Sequence, residues 1–312
     1  MPLNVAIQMD PMEKVNIAGD SSFAIMLAGQ ERGHKIWHYD VRALSYHADG
    51  RLTTRARPVT VQRVEGDHFS FGDLETIDLR GDIDVVLMRQ DPPFDLSYIT
   101  ATHLLERIQP DTLVVNDPAA VRNAPEKLFV LDFAEFMPPT MITRSLEDTR
   151  AFQEEHGEIV VKPLYGNAGS AVFFVGKDDR NLAALTELFG DVWVEPYMVQ
   201  AFLPDVSAGD KRIILVDGEP TGGVNRLPKK GEIRSNFAVG GSGAASELTV
   251  RELEICEALG PELKKRGLLF VGIDVIGGYL TEINVTSPTG IVSIDTFNGT
   301  DTGAKIWDAI EA

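Results

Sequence analysis

One cysteine, Cys256, stands among 312 residues, so no intrachain disulfide can form and a fold that depends on such staples is excluded. No apolar run approaches the roughly 20 residues that a membrane-spanning helix needs. Positive charge is also scarce. Only 29 Lys and Arg face 47 Asp and Glu, a net charge of −18 that repels nucleic acids and anionic membrane surfaces. Any phosphate binding must therefore be local. The six histidines are scattered, with only His34 and His38 four residues apart, and there is no Cys-x-x-Cys pair. A G-x-S-x-G elbow, a Walker loop and a G-x-G-x-x-G turn after the first strand are missing as well, which removes the usual serine hydrolase and dinucleotide signatures. The N-terminus lacks the basic start and apolar stretch of a secretory signal, and with the single cysteine this leads us to expect a reducing, cytoplasmic setting.

What is present is an ordinary globular composition, 44% hydrophobic and 24% charged, in a chain long enough for about two domains. The first third alternates strand and helix signals. Leu3 to Ile7, Ile36 to Tyr39, Ile83 to Met88 and Leu113 to Val115 read as strands. Asp20-Ser21-Ser22 caps a helix that Gly33 ends, and a second helix runs from Tyr98 to Arg107. This is the pattern of a mostly parallel α/β sheet, with residues 50 to 80 read as a polar excursion from it. From about residue 123 the pattern becomes α+β. A helix from Pro125 to about Phe133 precedes β runs at Ile159 to Val161, Ala171 to Val175 and Val192 to Val194, with a helix near Leu182 to Phe189. Then come a strand Arg212 to Val216, a glycine-rich stretch from Pro228 to Ala245, a helix from Thr249 to Arg266 and a hairpin from Phe270 to Val285.

Three places can carry chemistry. Lys162 ends an apolar strand and faces the loop Gly166-Asn167-Ala168-Gly169, where close backbone N–H groups and a point charge suit a phosphate. Glu282 and Asn284, two apart on a strand, share a face and offer oxygen ligands to Mg²⁺. Asp274 joins that face only if the Gly277-Gly278 turn has an odd number of loop residues. Finally, residues 211 to 234 hold six cations, including Lys211, Arg212, Arg226 and Arg234, against three acids, a basic island running into a glycine-rich segment that can close over a site. Cys256 reads as a small core residue.

The order of these pieces resembles the bacterial glutathione synthetases of the ATP-grasp superfamily over essentially the whole chain. The resemblance rests on Met9-Asp10-Pro11, Asp20-Ser21-Ser22-Phe23-Ala24, the run Met88 to Asp95, Asn123 to Phe129, Lys162-Pro163, Gly209-Asp210-Lys211-Arg212, Phe270 to Asp274 and Leu280 to Gly290. It implies a Rossmann-like substrate-binding domain over 1–122, then two α+β subdomains of an ATP-grasp fold. These are a central lid subdomain over 123–202 and a C-terminal one over 203–312 with the metal site and a mobile loop at 227–243.

The implied activity joins γ-glutamylcysteine to glycine with ATP through an acyl phosphate. Lys127 and Lys162 would meet the ATP phosphates, with Gly166, Asn167, Gly169 and Ser170 covering them. Gln200, Ala201, Phe202 and Leu203 would lie against the adenine, largely through backbone groups, with Asp210 nearby. Asp274, Glu282 and Asn284 would hold Mg²⁺, with Mn²⁺ as a substitute, and Arg212 and Arg226 would stand by the transferred phosphoryl. Asp20, Ser21, Arg89, Ser287, Thr289 and Gly290 would face the dipeptide and the reacting end. A homotetramer is implied. The pattern departs from many relatives at Ala168 and Ser242. The alternatives are another ATP-grasp carboxylate–amine ligase and a non-catalytic nucleotide binder.

Overall fold

The computed structural model describes residues 1–166, 169–237 and 240–312. The chain begins with β1 (Asn4–Gln8), α1 (Ser21–Glu31) and β2 (Lys35–Tyr39). The Asp20 carboxylate accepts the Phe23 N–H at 2.7 Å to start α1, and Gly33 leaves it at φ +85°, a conformation that favours glycine. After β3 (Ser45–Tyr46), β4 (Leu52–Val61), β5 (Phe69–Phe71) and β6 (Glu75–Asp78) come β7 (Val85–Met88), α2 (Leu96–Glu106), β8 (Leu113–Val115) and α3 (Pro118–Arg122). Strands β2, β1, β7 and β8 lie side by side and parallel, the expected α/β core.

Residues 50 to 80 do not leave this sheet. β4 pairs antiparallel with β2, Trp37 opposite Pro58, and β5 and β6 pair back onto β4. Exposed Arg55 and Arg57 flank buried Ala56, so the strand's solvent face gave the segment its polar appearance.

The middle of the chain contains α4 (Glu126–Phe129), β9 (Thr140–Thr143), α5 (Leu146–His156), β10 (Ile159–Pro163), β11 (Phe173–Val175), α6 (Leu182–Val192) and β12 (Tyr197–Ala201). The helix expected from Pro125 to Phe133 is short; a 3₁₀ turn continues it from Val130 to Phe136, with non-helical backbone at Phe133. The four strands form an antiparallel sheet in the order β11-β10-β12-β9. The strand expected at Val192 to Val194 is absent: α6 runs through Val192, and the strand begins at Tyr197. Val192 and Val194 are exposed, so their β-branched shape promised a burial that packing does not supply.

The last part holds β13 (Asp210–Val216), β14 (Glu219–Leu227), β15 (Ser242–Ala245), α7 (Val250–Lys265), β16 (Phe270–Ile276), β17 (Tyr279–Asn284), α8 (Ile291–Asn298) and α9 (Thr302–Glu311). Its sheet runs β15-β14-β13-β16-β17. A capping box of Thr249 and Glu252 starts α7. The final helix returns to the first: Trp307 Nε1 donates to Ile25 O at 2.9 Å, and a Cβ on Gly29 would lie 2.6 Å from the indole. At the end of β8, the Asn116 amide donates to Phe270 O and Val285 O, both at 2.8 Å, and accepts from Phe270 N. These contacts fix the parallel sheet against the C-terminal hairpin.

Candidate active site

The hairpin of β16 and β17 sets the geometry. Gly277 and Gly278, at φ +57° and +81°, make a two-residue turn with Ile276 opposite Tyr279, which by itself would put Asp274 on the wrong face. The pairing then shifts. Val275 faces Leu280 and Asp274 faces Glu282, leaving Thr281 as an extra residue in β17. Counting turn residues therefore gave the wrong rule, because a bulge restores the face that an even turn would lose. Asn284, opposite Gly272, continues it. Asp274, Glu282 and Asn284 thus stand together.

Each carboxylate has two cations. Lys127 from α4 and Lys162 from β10 lie 3.5 and 3.6 Å from Glu282 Oε1. Arg212 from β13 donates to Asp274 Oδ2 at 2.9 Å, and Arg226 from β14 lies 2.9 Å from Oδ1. Burial alone would raise the Asp274 carboxyl, but Arg212 and Arg226 hold it well below the usual carboxylate range. At Glu282 burial is likewise outweighed, here by Lys127 and Lys162. Lys162 pays for its place: burial depresses its pKa despite Glu282. At Lys127 burial is overcome by Glu282 and Glu126, and the pKa rises. Glu126, which sequence reasoning passed over inside the Asn123 to Phe129 run, hydrogen-bonds the Lys127 ammonium, and burial raises its pKa.

Beside these charges a cleft of about 760 Å³, open solvent included, is lined by Lys162, Gln200, Asp210, Arg234, Asp274 and Glu282, among others. Its apolar walls include Val160, Val172, Ala201, Phe202, Leu203 and Ile276. The N–H groups of Ala201 and Phe202 are given to Pro139 O and Glu158 O and so are engaged within the fold. Among the described residues the Leu203 N–H has no backbone partner. Asp210 is hydrogen-bonded by Arg226 and Ser235; burial, against the pull of Arg226, pushes its pKa up to about 6. The loop residue Gly166 accepts from Lys127 Nζ at 2.7 Å, and Gly169 O accepts from Arg234 Nη1 at 3.4 Å. Ser170 is exposed, and Asn167 and Ala168 lie outside the described residues.

The remaining candidates form a seam between the two ends of the chain. Ser21 Oγ accepts from Gly290 N at 3.1 Å, Arg89 Nη2 donates to Pro288 O at 3.0 Å, Ser287 Oγ donates to Asp91 at 3.0 Å, and Thr289 O accepts from Arg212 Nη1 at 3.3 Å. Asp20 is occupied in capping α1. The basic island is divided. Lys211, on the other face of β13, is bound by Glu252 at 2.7 Å and Glu247 O at 2.8 Å, so it belongs to the α7 cap rather than to the cleft.

Two family models match this chain: the prokaryotic glutathione synthetase N-terminal domain over residues 3–122 and the prokaryotic glutathione synthetase ATP-grasp domain over 126–299. The chain belongs to the prokaryotic glutathione synthetase family. Members of this family are ATP-dependent ligases. The chain is 56% identical to the glutathione synthetase of Rhodopseudomonas palustris over 100% of its own length and 99% of that protein. It is 54% identical to that of Agrobacterium fabrum, over 99% and 96%. In fold it is similar to a D-cycloserine synthetase, with a TM-score of 0.70 at 15% identity over 98% of both chains. A RimK domain ATP-grasp protein from Sphaerobacter thermophilus gives 0.64 at 16% identity, over 99% and 100%. These neighbours support the ATP-grasp fold alone.

The donor set fits a hard cation. Asp274, Glu282 and Asn284 present oxygen donors, the kind such a cation takes, and among the described residues no three acidic, histidine or cysteine side chains gather to hold a metal. The Asn284 Nδ2 is buried without a partner among the described residues, so this side chain is not committed elsewhere through its nitrogen.

Proposed function

We propose that the chain joins the cysteinyl carboxylate of γ-glutamylcysteine to the amine of glycine, consuming ATP and releasing glutathione, ADP and phosphate. The carboxylate takes the γ-phosphoryl group, and the resulting acyl phosphate gives the amine a carbonyl with a good leaving group. The observation that carries this reading is the facing pair Asp274 and Glu282, each flanked by two buried cations. That arrangement suits a reaction whose cost is moving negative charge rather than making a side-chain nucleophile.

In this reading Asp274, Glu282 and Asn284 hold Mg²⁺, for which Mn²⁺ can substitute. When bound, the ion neutralises phosphate charge. Lys127 and Lys162 grip the phosphates, while Arg212 and Arg226 stabilise charge on the group in transfer. Gln200 to Leu203 and Asp210 border the nucleotide. Gly166 to Ser170 and the 227–243 segment close over the centre and exclude water, a closure suggested by the Arg234 contact to Gly169. Asp20, Ser21, Arg89 and the 287–290 turn position the dipeptide and the reacting end. We assign 1–122 to substrate binding, 123–202 to the lid subdomain and 203–312 to the metal-bearing subdomain, with α9 packed on the first of these. A cytoplasmic homotetramer follows from the resemblance; among the described residues no helix is long and apolar enough to cross a membrane.

Mg²⁺-dependent ADP release is the test, with both substrates and with each omitted. Release that requires both supports the ligase. Release with neither, or with other acids and amines only, would replace it by another ATP-grasp activity, and no release would leave a non-catalytic binder.

A further inference from the structure

Lys127 is fully engaged before any phosphate reaches it. An ammonium has three N–H groups to give. In Lys127 they meet the Glu126 carboxylate, the Gly166 carbonyl at 2.7 Å and, at 3.5 Å, Glu282 Oε1. The side chain is 4% exposed, which leaves water little access to it. A phosphate oxygen that bonds this ammonium must displace one of the three.

The surrounding charges show which partner yields. Lys127, Lys162, Arg212 and Arg226 face Glu126, Asp210, Asp274 and Glu282, four of each sign, so the side chains balance by themselves. A nucleotide adds negative charge to that balance, and a carboxylate held against a phosphate is costly in a buried site. Three of the four acids are tied more than once: Glu282 serves both lysines, Asp274 both arginines, and Asp210 accepts from Arg226 and Ser235. Among the described residues Glu126 has a single side-chain hydrogen bond, the one to Lys127.

Glu126 also has space on its other side. Its side chain is 21% exposed, and it borders not the nucleotide cleft but a separate pocket of about 360 Å³, open solvent included. Phe94 and Tyr165, their rings stacked 6.1 Å apart at 10°, line that pocket together with Gly166 and Thr286, among others.

We propose that Glu126 is a positioning residue that holds Lys127 until a nucleotide arrives and competes with its phosphates for the ammonium. Phosphate displaces the carboxylate into the pocket beside Tyr165, and the carboxylate reclaims Lys127 as ADP leaves. Glu126 thus lowers nucleotide affinity and speeds product release, the reverse of what a neighbour that merely supports Lys127 would do. This assignment rests on the reading of Lys127 as a phosphate-binding residue given above.

The test is calorimetric titration of wild type, Glu126→Gln, Lys127→Gln and the double variant with ADP in excess Mg²⁺. Glu126→Gln keeps the shape and an oxygen that accepts from Lys127 but removes the competing charge, so ADP should bind about tenfold more tightly and, in stopped flow, leave about tenfold more slowly. With Lys127→Gln already in place, the same change should alter affinity by less than about twofold, because the ammonium under competition is gone. Glu126→Ala removes the charge without adding an amide and reads the same difference should Glu126→Gln fail to fold. Unchanged or weaker ADP binding in either folded variant makes Glu126 a structural support and overturns the proposal. Equal tightening with and without Lys127 makes it a general repeller of anions and overturns the competition. The underlying reading is tested separately: Lys127→Gln alone should bind ADP at least about tenfold more weakly than wild type, and if it does not, Lys127 is no phosphate-binding residue, whatever Glu126 does.

Discussion

The two clefts handle charge in opposite ways. Around Asp274 and Glu282 the charges are buried and already paired: Asp274 is 2% exposed, Arg226 3% and Lys127 3%. In a separate crevice beyond the ends of β1, β2 and β7, Asp10, Lys14, Arg42 and Asp91 are exposed, and only Tyr98 and Gln90 among its polar side chains are buried. A charge held away from water acts strongly on whatever enters, but it needs its counter-ion to be there at all. An exposed charge is screened and replaceable, so it selects among ligands without holding the fold. The first region has the burial that charge-moving chemistry needs, and the second lacks it.

The largest effect expected from this contrast comes from Glu282→Ala. It removes a proposed metal ligand and strips Lys127 and Lys162 of a shared counter-ion. Turnover should fall by at least about 1,000-fold, equivalent to roughly 4 kcal/mol of barrier, while circular dichroism reports a folded chain. Near-normal activity in folded protein would remove Glu282 from the metal set and erase the distinction between the two clefts. Arg212→Lys should come next. Lysine cannot reproduce the forked contact to Asp274 Oδ1 and Oδ2 together with the bond to Thr289 O. We expect kcat about 100-fold lower and a reduced unfolding temperature, because a broken buried pair costs about 3–5 kcal/mol. A purely kinetic loss with unchanged stability would mean that the pair is less dependent on its partner than its burial implies.

Much of this contrast could be read from residue order, and what could not has identifiable causes. Local signals worked where one residue decides a conformation, as at the Asp20 cap and the Gly277-Gly278 turn. The bulge at Thr281 escaped, since nothing in Tyr-Leu-Thr-Glu marks an extra residue, and the face of Asp274 hangs on it. Composition misled where burial was one-sided: β4 looked irregular because Arg55 and Arg57 face solvent, and Val192 to Val194 looked extended although α6 includes Val192. The division of the basic island was also out of reach. Arg212 and Lys211 are neighbours in sequence, but strand alternation sends one to Asp274 and the other to Glu252. The crevice residues carried no chemical motif of their own; only the strand order brings Asp10, Arg42 and Asp91 together.

Cys256 offers the smallest effect and a control for both clefts, because it belongs to neither. It is 1% exposed within α7 and shares a core cluster with Ile255, Leu259 and Leu263. Burial, reinforced by Glu252, pushes its thiol pKa up to about 12. At pH 8 about one molecule in 10,000 then carries the reactive thiolate. Iodoacetamide should therefore label native protein at a rate orders of magnitude below that of urea-unfolded chain, where one equivalent reacts. Cys256→Ala leaves a small void and should lower the unfolding temperature by about 2–6 °C, with kcat within about twofold of wild type. Fast labelling of the native protein, accompanied by loss of ADP release, would instead tie α7 to the reacting centre and add a third functional region to the two compared here.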